Sequence, residues 1–165
     1  AQIMAGLVVA ILVMYLANGG VTPLVDAAIS QHLHADEEPF FIRGHQATFL
    51  IGPQSNIAPA ICYEISIPAH PAHARSLGAE VYIASVVKSV GGTEKALITL
   101  ADIARTYGMT VLMSNCSGHC EDYACGGKSS VWDQKGQVQG QLGETETGIL
   151  VYDTETRSAT SIYLE

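Results

Sequence analysis

The chain is 165 residues long, with 48% hydrophobic and 15% charged residues, well under the usual charged share of about 25%, which excludes collagen-like, highly charged disordered and coiled-coil classes. Eight Lys and Arg against 16 Asp and Glu leave a net charge of −8, so a nucleic-acid backbone is not expected as a partner. At this length a single domain over residues 1–165, with one sizeable core, is the expectation.

The first 30 residues hold one charged side chain, Asp26. The apolar run Ile3 to Ala17 stops short of the roughly 20 residues that a membrane span requires, and no Lys or Arg flanks it. It reads as two buried strands, Ile3 to Val9 and Ile11 to Leu16, rich in Val, Ile and Leu. No basic region precedes it and no clear cleavage site follows, so no secretory signal is expected. Cys62, Cys116, Cys120 and Cys125 read as reduced thiols, because a chain this long can be stabilised by apolar burial without disulfides. The expected compartment is the cytoplasm.

A polar loop follows, with His32, His34, Asp36, Glu37 and Glu38 before Pro39-Phe40-Phe41. Ala58 to Tyr63 reads as a buried strand, Ala69 to Leu77 as a helix ended by Gly78, and Val81 to Val86 as the next strand. Thr93 is the expected N-cap of a helix from Glu94 to Tyr107, with Leu97, Leu100, Ala104 and Tyr107 at helical spacing and Gly108 closing it. Met109 to Ser114 is a strand, and a loop containing Gly and Cys runs to Lys128. Four short strands complete the chain: Ser129 to Trp132, Gln137 to Gln141, Gly148 to Tyr152 and Ala159 to Leu164. Strands and helices in this order predict an α/β layered fold.

Three places carry chemistry. In Ala60-Ile61-Cys62-Tyr63-Glu64, a cysteine ends an apolar strand, where α/β folds place ligands. Its thiolate is a candidate nucleophile for a carbonyl or nitrile carbon, against the plainer reading of an inert buried cysteine. Cys116, His119, Cys120 and Cys125 could ligate zinc, but crowd into ten residues where structural sites use two separated pairs. A Gly-rich active-site loop, or a disulfide within it, explains them as well. In the acidic loop a carboxylate such as Glu37 could orient a nucleophile or act as a base, or the run is simply a solvated face. His70 and His73 read as lying near a helix's exposed start, without a role.

In order, these segments resemble the carbon-nitrogen hydrolase family, also called the nitrilase superfamily. The resemblance rests on His32-Leu33, Glu37 with Phe40-Phe41 and Gly44, Ala60-Ile61-Cys62-Tyr63-Glu64, Gly78-Ala79-Glu80-Val81-Tyr82-Ile83-Ala84-Ser85, Asn115-Cys116-Ser117-Gly118 and Gly127-Lys128-Ser129-Ser130. It covers about residues 30 to 152, and the joint order is more specific than any one block. It implies a four-layer αββα sandwich that cleaves a non-peptide carbon-nitrogen bond, in an amide or nitrile, with a Glu-Lys-Cys triad and no cofactor or metal. Cys62 would form a thioester acyl-enzyme, the backbone N–H of Tyr63 would stabilise the oxyanion, and Glu37 matches a second, positioning glutamate. A homo-oligomer, at least a dimer, is also implied.

Two positions depart from the family pattern. Ser30 stands where the K-x-H-L stretch has its lysine, and residues 1–30 hold no Glu to match the general base. The resemblance therefore predicts a fold incomplete at its N-terminus, the carboxyl-terminal part of a longer hydrolase. Lys88 is the alternative cation. A catalytically inactive relative that keeps the fold for binding or assembly is the competing function, and a zinc module is the third.

Overall fold

The structure, a computed structural model, describes His32, Ala35, Pro39, residues 56–120 and residues 123–164. The expected strands in residues 3–16, and Glu37 with its acidic neighbours, lie outside these described residues. Two compact units divide the chain, Ala1–Ser85 and Val86–Glu165.

In the first unit, β1 (Ile57–Ile61) leads into a 3-10 turn (Cys62–Ser66), then helix α1 (Ala69–Ser76) and strand β2 (Val81–Val86). The two strands pair in parallel, from Ile57 opposite Val81 to Ile61 opposite Ser85, which a helical crossover makes possible. Ala58 and Ala60 alternate inward on β1, while β2 buries Val81, Tyr82, Ala84 and Val86. Gly78 ends the helix as expected, at φ 93, in the left-handed region that costs glycine little. Asn56 fastens the return to β2, donating to the Gly78 carbonyl at 3.0 Å and accepting through its own carbonyl from Glu80 N and Val81 N. The expected strand to Tyr63 ends two residues earlier, because the backbone turns left-handed at Cys62, φ 40.

The second unit opens on α2 (Val90–Tyr107) and β3 (Thr110–Asn115). Here the structure corrects the helix start. Ser89 is the N-cap, with Oγ accepting from Gly92 N at 3.3 Å, and Thr93 lies inside the first turn, buried, its hydroxyl donating to the Ser89 carbonyl at 3.0 Å. The Gly91-Gly92 pair hides this turn from propensity, since glycine is a poor helix former. Gly108 closes the helix at φ 61, and the buried face is Thr93, Ala96, Leu100, Ile103 and Ala104, a helical stripe.

The expected loop up to Lys128 is instead a hairpin, β4 (Ser117–Cys120) with β5 (Tyr123–Gly126), paired antiparallel. Then come β6 (Ser130–Trp132), β7 (Val138–Gln141), β8 (Gly148–Asp153) and β9 (Ser158–Tyr163). β6 pairs antiparallel with β3 and with β7, and β8 with β9. The turns at Asp133 and Asp153 form as the sequence suggests, each carboxylate accepting backbone N–H groups two to four residues ahead.

One amide joins three segments of this unit. Asn115 Oδ1 accepts from Lys88 N at 2.9 Å, while Nδ2 donates to Thr93 Oγ1 at 2.9 Å and to the Gly127 carbonyl at 2.7 Å. Next to it, Gly127 at φ 53 leaves no room for a Cβ, which would overlap the Glu144 carbonyl. Lys128, also left-handed at φ 57, reaches Glu94 at 2.6 Å and Glu144 at 3.0 Å. Hydrogen bonds to these two carboxylates hold the Lys128 ammonium above its ordinary pKa. Asn115→Ala would strand the Lys88 N–H and the Gly127 carbonyl together, and is expected to cost about 2–6 kcal/mol in denaturant unfolding, since each orphaned group costs about 1–3 kcal/mol.

Candidate active site

The first unit places Cys62 where its strand gives way to the turn. The residue is half-buried, its thiol is not disulfide-bonded, and its φ of 40 lies in the left-handed region. For a residue with a Cβ this costs about 1–2 kcal/mol and persists only where the surroundings over-determine it. Cys62 and Tyr63 are therefore the first two residues of a 3-10 turn and not the end of a strand, a correction that periodicity could not have supplied.

Glu64 is what holds the turn. Its carboxylate is buried, 3% exposed, and reaches back three residues so that Oε2 accepts from Ile61 N at 2.7 Å. This is the acidic half of a capping box. The other oxygen, Oε1, accepts from His32 N at 3.2 Å, 32 residues away in sequence. One side chain thus serves a backbone N–H on each of two separate segments.

Behind Glu64 lies His70, expected at an exposed helix start but buried on α1 at 3% exposure. Its Nε2 is 3.6 Å from Glu64 Oε2, longer than a hydrogen bond. Its Nδ1 meets the hydroxyl of Tyr82, a fully buried β2 residue, at 2.9 Å. A proton on Nε2 directs a positive hydrogen at the carboxylate and leaves Nδ1 to accept from Tyr82. The other tautomer would aim a ring lone pair at a carboxylate, so electrostatics assigns the first. The rings of His32 and Tyr82 both pack edge-on against His70.

Burial is the main influence on His70 and pushes its pKa below the usual 6.5; Glu64 opposes this, while His32 and His73 add to it. His73, three residues on, is exposed. The single sequence signal for this cluster was Glu64, an acid three residues beyond a strand end. Nothing in the local pattern distinguished His70 from a solvated histidine.

The remaining candidates fall elsewhere. Glu37 lies outside the described residues. Cys116 is half-buried at the start of the hairpin, its thiol donating to the Ser117 carbonyl at 3.3 Å, and His119 is exposed on β4. Among the described residues no group of three or more His, Cys, Asp or Glu side chains is placed to hold a metal ion. The backbone of Lys88 contributes the N–H bound by Asn115.

A histidine held neutral by burial has a defined effect on stability. Above the ordinary histidine pKa both folded and unfolded chains carry neutral His70. As pH falls below about 6.5, the unfolded chain takes up a proton that the folded one declines, so stability drops towards the lowered folded-state pKa. Thermal unfolding between neutral pH and about pH 5 should show this loss, and His70→Asn should flatten the dependence.

The chain matches the family model described as carbon-nitrogen hydrolase over residues 13–162. Comparison with curated proteins gives no match. Among solved structures it is similar to a cysteine-to-alanine variant of the amidase from Nesterenkonia AN1, of the nitrilase superfamily, with 20% identity and a TM-score of 0.65, covering 82% of this chain and 48% of that one. The same figures hold for a glutamate-to-glutamine variant of that amidase with the acetamide moiety of fluoroacetamide added covalently at its active site cysteine, and for a complex with butyramide. At this identity the likeness is one of fold, and the mixed α/β arrangement expected from the sequence is the fold of these amidases. The chain spans about half the length of the amidase chains it matches. Among the described residues no helix is long and apolar enough to cross a membrane. The family model runs through the Cys62 turn, the Asn115 junction and the hairpin alike, and by that match the chain belongs to the carbon-nitrogen hydrolase family.

Proposed function

We propose that this chain carries the nucleophile of an amidase-type hydrolase, with Cys62 attacking the carbonyl carbon of a small amide, or the corresponding carbon of a nitrile. The observation that carries the reading is the strained left-handed turn that presents Cys62 at the end of a parallel strand, the position where α/β folds bind ligands. For an amide, the thiolate sulfur bonds to the carbonyl carbon and the oxygen takes the negative charge. The C–N bond then breaks, ammonia or an amine leaves with a proton, and water hydrolyses the thioester to release the acid and the thiol. The backbone N–H of Tyr63, next in the turn, is the proposed oxyanion donor. Glu37 is the proposed positioning carboxylate.

Residues 1–165 are read as parts of one hydrolase domain, which the family match across both units supports. The thiols of Cys62 and Cys116 support a reducing, cytoplasmic compartment. Self-association is proposed from the outer face of the β8–β9 ribbon, where Ile149 opposite Ile162, with Val151 and Leu164, lie 38–54% exposed. A monomer by light scattering at micromolar concentration would contradict it.

Ser30 at the lysine position favours a second reading, an inactive relative that keeps the fold for binding or assembly, because a hydroxyl supplies no positive charge for a thiolate or an oxyanion. Ammonia release from a panel of amides and nitriles separates the two. Turnover that is lost in Cys62→Ala is expected for the hydrolase. No ammonia from any substrate, together with a Cys62 thiol that resists iodoacetamide at neutral pH, would assign the chain to the second reading.

A further inference from the structure

We infer that Glu64 is a positioning residue for the nucleophile, clamping the Cys62 turn to the segment that carries His32. The inference rests on the reading of Cys62 as nucleophile and extends it to residues that make no contact with substrate in that reading. Three observations support it. The two carboxylate oxygens are divided between the backbone N–H of Ile61, immediately before Cys62, and that of His32. A left-handed cysteine relaxes unless held, and the bond to Ile61 fixes the residue on which it turns. The carboxylate is backed in turn by His70 and Tyr82, each at most 3% exposed, so it has little freedom to swing away.

The clamp has a consequence for the chain order of the site. Ser30 and Glu37, which resemblance assigns to the lysine and second-glutamate positions, flank His32 in sequence. The hydrogen bond from His32 N ties residue 32 itself to the nucleophile turn. It needs an acceptor with two usable oxygens. Glutamine has one, and its amide would point hydrogens at the remaining backbone N–H.

The test compares the wild-type chain with Glu64→Gln and Tyr82→Phe, the latter removing the hydroxyl behind His70. The rate of iodoacetamide alkylation is followed at Cys62 and, as an internal control, at Cys116, together with backbone hydrogen exchange and thermal unfolding. Glu64→Gln should change the alkylation rate of Cys62 about 10-fold, the scale of one buried N–H losing its acceptor, while Cys116 keeps its rate. Exchange should rise in the peptides holding Ile61 and His32 and not along α2. Tyr82→Phe should change the Cys62 rate about threefold in the same direction, as expected for one lost hydrogen bond, and decides the matter if Glu64→Gln does not fold. An unchanged Cys62 rate in a folded Glu64→Gln chain overturns the clamp, as does exchange that rises throughout the molecule. A wild-type Cys62 that does not react at all overturns the nucleophile reading itself, and the clamp with it.

Discussion

A residue at φ 40 turns the backbone out of the regular extended conformation of a strand. In this chain that residue is Cys62, and the organisation of the first unit depends on how its turn is held. The left-handed conformation is unfavourable for any residue with a Cβ, so some other group must keep it. Glu64 does so by closing back on Ile61 N at 2.7 Å. The same carboxylate reaches His32 N, so the local constraint of a tight turn becomes a long-range one. The two backbone N–H groups give the buried carboxylate the partners it requires, and His70 and Tyr82 pack behind it.

The second unit solves an equivalent problem with a neutral group. Asn115 ends β3 and faces three segments that each leave a backbone or hydroxyl group to be satisfied: Lys88 before α2, Thr93 in its first turn, and Gly127 after the hairpin. An amide carries both an acceptor and two donors, which a carboxylate does not, and the required mixture is one acceptor and two donors. The Gly126-Gly127 pair lets the chain approach this junction closely, Gly126 against Thr93 and Gly127 against Glu144. Both units thus rest on one polar side chain that several stretches of backbone share.

This arrangement bears on the chemistry of the family. A cysteine nucleophile needs a fixed direction of attack, since small misplacements are expensive in rate, and a strained turn supplies direction only while it is held. Burial holds the His70 pKa below its ordinary value, so Glu64 is held in place mainly by the backbone N–H groups of Ile61 and His32. In the proposed mechanism Ser30 would leave the lysine position without a charge, while Glu64 holds the backbone just before Cys62.

The sequence by itself determined the family and most of the regular elements. β2 and the closures of α1 and α2 at Gly78 and Gly108 fall where expected, because alternation, helical spacing and glycine stops are local properties of a few neighbouring residues. It also singled out Cys62, within a block that ends at Glu64. Only the tertiary structure decided that Glu64 binds two segments, that His70 is buried, that α2 is capped by Ser89, and that Ser117–Cys120 pairs with Tyr123–Gly126. Each of these depends on partners distant in the chain or on a backbone angle, and neither burial by remote residues nor a positive φ at a cysteine leaves a periodic mark on the sequence that could be read in advance.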